Sequence, residues 1–226
     1  MFTKITPPPA EISFNHPTRK LRLARSRPNH ASDLMEALNE SLTELKAYMP
    51  WAHFKNTVDS QTARLGDLEQ KWEANQDFTF SLFLPQNEGK DRFVGCIGMH
   101  LNCLSESGVE IGYWVRSSQA GKGLCTLATQ LLIYSGFEYQ KLSRIQITCD
   151  VGNIGSKRVI EKVGFPYEGT LRYGGYSHAP QSVIDQGWKA TGHTNLYALT
   201  FEDYPKLSWI DQIKESITLG SFTSLS

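Results

Sequence analysis

One stretch limits this chain more than any other: an alternating strand, a glycine turn and a helix follow one another over residues 109–135. Val109, Ile111, Tyr113 and Val115 alternate with Glu110, Gly112 and Trp114, the two-residue period of a strand. Gln119-Ala120-Gly121-Lys122-Gly123 comes next. Leu124, Leu127, Ala128, Leu131 and Leu132 then fall at i, i+3, i+4, i+7 and i+8, one face of an amphipathic helix. Glycines let the backbone turn tightly and bring successive N–H groups close to a ligand, and the helix behind them adds its positive end. With Lys122 as a cation, such a turn suits a phosphate.

The kind of phosphate ligand is narrowed by mismatches. A Walker A loop needs a glycine five residues before Gly121, where Arg116 stands, and Ser or Thr after the lysine, where Gly123 stands. A Gly-x-Gly-x-x-Gly dinucleotide fingerprint would end at Thr126, and Ser143 lies near the place of its ribose-binding acid. A plain strand-to-helix turn without a ligand stays open on this segment alone.

Composition removes other classes. Lys+Arg and Asp+Glu both number 23, so a basic nucleic-acid coat or an acidic tail is not expected, and no direct nucleic-acid readout is foreseen. Hydrophobic residues make up 40% and aromatics 11% of 226 residues, enough for the core of one domain and too much for a disordered chain. Cys96, Cys103, Cys125 and Cys149 form no C-x-x-C pair and lie in strand-like or helix-like runs, as reduced core thiols of a cytoplasmic protein would. Met1 to Ala10 holds Pro7-Pro8-Pro9 and no apolar stretch, so no signal peptide is expected, and no apolar run is long enough to span a membrane. His16, His30, His53, His100, His178 and His193 show no ligand spacing, so no metal is expected, and no Gly-x-Ser-x-Gly points to a hydrolase. Five basic residues between Arg19 and Arg27 read as a solvated strand face, with a phosphate-rich partner such as a ribosome as the sharper alternative.

Around the glycine turn the chain reads β-α-α-β-β-β-α-β-α-β-β, a mixed sheet with helices on its faces. Residues 1–17 read as an irregular lead-in and Lys20–Leu23 as the first strand. Leu34 to Met49 forms a helix closed by Pro50, and Ser60 to Ala74 a second. Phe78–Phe83 and Arg92–Leu101 read as a hairpin. Arg144–Cys149 is a further strand, and Asn153–Val163 a short helix with Gly164 at the left-handed C-cap position. Tyr167–Tyr173 and Asn195–Thr200 are late strands. Trp209, Ile210, Ile213 and Ile217 mark a C-terminal helix within 201–226, leaving 18–200 as the main domain.

A second constellation follows about 30 residues after the glycine turn: Asn153-x-x-Ser156, then Glu161-Lys162-Val163-Gly164-Phe165, just after a strand. With Glu110-Ile111-Gly112-Tyr113-Trp114 before the turn, the chain resembles the GNAT acetyltransferase superfamily, and within it the ribosomal-protein N-terminal acetyltransferases acting on serine and alanine termini. The resemblance covers roughly residues 18–200. It implies an α/β GNAT fold, a mostly antiparallel mixed sheet with two splayed central parallel strands and helices on both faces. It implies acetyl-CoA as co-substrate and an amine as acceptor: a protein N-terminus, with a ribosomal protein as one candidate, or a small amine such as a polyamine, an amino acid derivative or an antibiotic. A non-catalytic acyl-CoA-binding regulatory module is the alternative of another class, and a homodimer is an open option. By the same resemblance the pyrophosphate sits on Gln119, Ala120, Gly121, Lys122, Gly123, Leu124 and Cys125, and the pantetheine arm runs along Tyr113, Trp114 and Val115 between strands ending near Val115 and Cys149. The loop departs from the family pattern, since Ala120 stands where Gln or Arg is usual and Cys125 takes the last place.

Acetylating an amine requires that the ammonium lose a proton, the thioester carbonyl be polarised and the thiolate be stabilised or protonated. Glu110 is the candidate base, directly or through a water; an exposed strand glutamate is the plain alternative. The tyrosine that many family members place eight positions into the Asn-containing motif is replaced by Ile160. Ser156 is the candidate for the sulfur instead, against simple helix capping. Asn153 is a candidate pantetheine or acetyl contact, against a turn or cap. Tyr48, Trp51 and Phe54 could shape the acceptor entrance or simply pack.

Overall fold

Alternation begins the sheet earlier than the irregular lead-in expected for residues 1–17. In the computed structural model, which describes residues 5–101, 108–175 and 181–220, Glu11–His16 forms strand β1. Ile12 and Phe14 are buried on one side of it, and it pairs antiparallel with β2 (Arg19–Arg25) from Glu11↔Ala24 to His16↔Arg19. The period-2 pattern is present in this short stretch but follows a proline run, which masks it.

Helices α1 (Ala31–Lys46) and α2 (Val58–Glu73) precede a meander of β3 (Asp77–Leu84), β4 (Arg92–His100) and β5 (Gly108–Val115). Then come α3 (Leu124–Glu138), β6 (Arg144–Asp150), α4 (Ile154–Val163), β7 (Tyr167–Leu171), the single turn α5 (Gln181–Ile184) and β8 (Thr194–Thr200). The C-terminal helix α6 spans Ile210–Ser216. Ile217, expected in that helix, instead opens β9 (Ile217–Leu219), which pairs Phe14↔Ile217 and covers the free edge of β1. The described strands form one nine-stranded sheet in the order β7-β8-β6-β5-β4-β3-β2-β1-β9, antiparallel except for β5–β6.

The sheet has a core on each face. α1 and α2 cover one side through Leu34, Leu38, Leu65, Phe83, Phe93 and Trp114. α3, α4 and α6 cover the other with Leu127, Leu131, Ile145, Ile160 and Ile213. α3 is buried nearly all round, from Leu124 through Phe137, rather than along one stripe, because α4 and α6 pack against it as well as the sheet. Gly164 does cap α4 in the left-handed region, with φ +96°. Cys96, Cys125 and Cys149 are free thiols. Cys103 and His178 lie outside the described residues.

Candidate functional site

The site begins where two strands part. β5 and β6 pair only at Gly108↔Arg144, Val109↔Ile145 and Glu110↔Gln146. Beyond Glu110 the edge of β5 that faces β6 has no strand partner among the described residues, so its amides border a cleft of about 1130 Å³ instead of a ladder. Ile111 to Val115 line one wall and Ile147 to Asp150 the other. Tyr113 and Val115 face it with their side chains half-buried, whereas the Trp114 ring packs behind the strand against Trp51 and Phe93, at 6.2 and 6.3 Å between centroids.

At the far end lies the glycine turn. Gly121 and Gly123 both take φ +75°, a conformation that side chains strain to adopt. Gly123 is the N-cap of α3, and among the described residues no side chain caps the helix. The first bond into α3 runs from the Leu127 N–H to the Gly123 carbonyl at 3.0 Å, so the amides of Leu124, Cys125 and Thr126 precede it. Gln119, Ala120, Gly121, Gly123, Leu124 and Cys125 line the cleft. Lys122 does not; its Nζ donates to Gln119 Oε1 at 3.3 Å. Burial pushes the Cys125 thiol up to about 12, so it stays neutral and packs.

α1 clamps the approach to this turn. Arg116, only 3% exposed, pairs with Glu36 at 2.7 Å and Glu40 at 3.0 Å. The Ser117 amide donates to Ser41 Oγ at 2.9 Å, the Ser118 amide to Glu40 Oε1 at 2.8 Å, and the Ser117 hydroxyl to Glu44 at 2.8 Å. None of these acids was legible as a site residue, since each reads as the polar face of a helix.

Cations also gather that sequence reasoning missed. Arg158 and Lys162, one turn apart on α4, line the cleft. A Cβ on Gly123 would lie 3.2 Å from the Arg19 guanidinium, which therefore hangs over the turn. The three later arginines of the basic stretch are spent within the chain: Arg22 pairs with Asp91 and Glu11, Arg25 with Glu69 and Glu73, and Arg27 with Glu69.

Between these ends sit two hydroxyls. Ser156 Oγ and the Tyr113 hydroxyl are 3.0 Å apart. The cap of α4 is Asn153, whose Oδ1 accepts the Ser156 amide at 3.1 Å, which leaves the Ser156 hydroxyl for the cleft. Burial raises the Tyr113 phenol, against a lowering contribution from Ser156, so it remains a proton donor. Burial likewise raises Cys149 beside them, again opposed by Ser156. Tyr113 thus places a hydroxyl beside Ser156 from β5, while Ile160 of α4 is buried.

Glu110 stands at the fork. Its Oε2 accepts Gln146 Nε2 at 3.0 Å and its Oε1 the Thr148 hydroxyl at 2.5 Å, so β6 orients the carboxylate on the sheet face opposite Val109 and Ile111. Tyr48 borders the same cleft and donates to the Gly152 carbonyl at 2.8 Å; Phe54 is 74% exposed and takes no part. Asp150, unnoticed in sequence, accepts the amides of Gly152, Thr191 and Gly192 at 2.8, 2.7 and 3.0 Å and so ties the loop before β8 to the cleft rim.

The family model for the acetyltransferase (GNAT) domain matches residues 20–166. The chain belongs to the GNAT acetyltransferase family. Among GNAT proteins, the ribosomal-protein-serine acetyltransferase of Escherichia coli (strain K12) is 27% identical over 158 residues, 69% of this chain and 84% of that one. YjcK of Bacillus subtilis (strain 168), described as a probable N-acetyltransferase, is 31% identical over 117 residues, 51% of this chain; the chain spans 63% of YjcK. The structure of Mycobacterium smegmatis RimJ in complex with CoA-disulfide superposes with a TM-score of 0.74 at 22% identity, over 92% of this chain and 94% of RimJ, a likeness of fold. The α/β GNAT fold with its splayed parallel pair is thus the one the motifs implied.

Proposed function

We propose that the protein is an acetyl-CoA-dependent N-acetyltransferase whose acceptor is a protein N-terminal α-amine, of a ribosomal protein in the first instance. The observation that carries this reading is the fork between β5 and β6, with an oriented carboxylate at its closed end and a glycine anion cradle at its open end. The acceptor class leans on the relative that acetylates a ribosomal-protein serine.

The residues fit the co-substrate. The unpaired edge of β5 suits the amides of a pantetheine arm, and the open amides of Leu124, Cys125 and Thr126, with Arg19, Arg158 and Lys162 near them, suit phosphates. Bound there, acetyl-CoA would supply the acetyl group as an activated thioester. Glu110 supplies fixed negative charge where a positive amine must arrive, and the amine's proton leaves from that end. Ser156 and Tyr113, both neutral hydroxyls, supply hydrogen bonds or a proton to a developing thiolate. Free cysteines and the ribosomal acceptor both fit a reducing cytoplasm.

Steady-state kinetics with matched acceptors test the reading: a peptide with a free N-terminal serine, the same peptide Nα-blocked but carrying lysine, and spermidine. The free N-terminus should be preferred, and Glu110→Gln should lower kcat roughly 10²-fold. Preference for spermidine would shift the acceptor to a small amine, and tight acetyl-CoA binding without transfer to any amine would favour a binding module.

A further inference from the structure

Opposite Glu110 in the β4–β5 ladder stands His100, and opposite His100 in the β3–β4 ladder stands Asp77. Directly paired residues share a face, with Cβ atoms about 4.5–5.5 Å apart. The three therefore form a row across the sheet on the Glu110 side. His100 Nδ1 lies 2.8 Å from Asp77 Oδ2, and the other Asp77 oxygen accepts the Thr79 hydroxyl at 2.6 Å. With Nδ1–H given to the carboxylate, Nε2 carries the lone pair. Nε2 has no hydrogen-bond partner among the described residues.

The backbone makes room for the ring. Gly98 and Gly112 are themselves a cross-strand pair. A Cβ on Gly98 would sit 3.0 Å from His100 Cε1 and 3.1 Å from Nε2, and one on Gly112 would sit 3.5 Å from Nε2. The imidazole thus lies across the two glycines with Nε2 over both of them, and Gly112 itself lines the cleft. The side chain is 41% exposed and borders the cleft through Gly112 beneath it. The charged groups around it are Asp77 on β3, Glu110 on β5 and Lys71 of α2, which acts on Asp77.

We propose that His100, positioned by Asp77, takes the proton that the acceptor's ammonium must lose, while Glu110 holds that ammonium. This deepens the amine-acetylating reading above and rests on it. Both Glu110 oxygens already accept hydrogen bonds from β6, which hold the carboxylate in one orientation as an anchor for an incoming ammonium. In the step, one ammonium N–H bond breaks, its electron pair stays on nitrogen, and the proton bonds to Nε2. Asp77 balances the imidazolium at Nδ1, and the proton then passes to solvent water. Burial disfavours the Asp77 carboxylate, but hydrogen bonds from His100 and Thr79, with the charge of Lys71, hold it below its ordinary range, so it is ionised for this role.

The test is a pH profile of kcat/KM with a peptide bearing a free N-terminal serine. His100→Gln should lose about 10²-fold at neutral pH, with the deficit closing as pH rises past the peptide's own amine, about 8. Asp77→Asn should lose less, with the same pH trend, and acetyl-CoA affinity by calorimetry should stay unchanged in both. A second readout needs no variant: the His100 ¹⁵Nε2 resonance of the wild-type protein should move when the peptide is added. An active wild type with a matching His100→Gln profile, or an Nε2 signal indifferent to peptide, overturns the assignment of His100 alone. A wild type that binds acetyl-CoA and acetylates no amine overturns the functional reading, and His100's role with it.

Discussion

Two hydroxyls and an amide side chain meet at the start of α4, and the roles they divide are separable by mutation. Because Asn153 caps the helix, Ser156→Ala should lower kcat while leaving the melting temperature and acetyl-CoA affinity nearly intact. Asn153→Ala should show the reverse emphasis, losing about 1 kcal/mol of stability as a cap is removed. Paired measurements of kcat and melting temperature on both variants check this, and a Ser156→Ala protein that loses only stability would return Ser156 to a structural role. That Glu110 and Ser156 border one cleft was legible in the sequence because each sits in a motif with fixed spacing. Tyr113 was legible as a strand residue before the glycine turn, but the meeting of its hydroxyl with Ser156 at 3.0 Å was not, since it depends on two elements coming together. Arg19, lost in a basic run, and Asp150, a lone acid at a strand end, gave no local signal for the same reason.

At the scale of elements, the glycine turn and its clamp by α1 make different predictions. Gly123→Val forces a side chain into a φ of +75° and against the Arg19 guanidinium 3.2 Å away, so the dissociation constant for acetyl-CoA should rise steeply. Calorimetry showing wild-type affinity in that variant would remove the turn from the phosphate site. The clamp is pH-sensitive. Hydrogen bonds from the Ser118 side chain and amide, with help from Arg116, hold Glu40 below its ordinary range despite some desolvation. A depressed folded value means the stabilisation is complete above the unfolded carboxylate value and is lost as pH falls through the folded one. Glu40→Gln should therefore melt below wild type at neutral pH, and the gap should close in acid; a constant gap from pH 7 to pH 3 would contradict the clamp. The glycine turn was readable from residues 119–123 because backbone conformation is written in glycine itself. The clamp was not, because Glu36, Glu40 and Glu44 recur on one helix face as any solvated acids do.

Over the whole molecule, the fold positions chemistry by an omission: one parallel pair that stops after Glu110↔Gln146 in an otherwise antiparallel sheet. The motifs on either side of that fork were readable, and with them the family and the α/β fold. The outer strands were less so. β1 is six residues behind prolines, and β9 is three residues that become a strand only because Phe14 offers Ile217 a partner. Such edges are decided by tertiary pairing rather than local pattern. The central claim, that this fork carries acetyl from acetyl-CoA to a protein N-terminus, is tested most directly by intact-mass spectrometry of bacterial ribosomal proteins incubated with the enzyme and acetyl-CoA. A gain of one acetyl group is expected, mapped to the N-terminal residue of at least one protein and sharply reduced with Glu110→Gln. Unmodified ribosomal proteins alongside acetylated spermidine, or acetyl confined to lysine side chains, would contradict it.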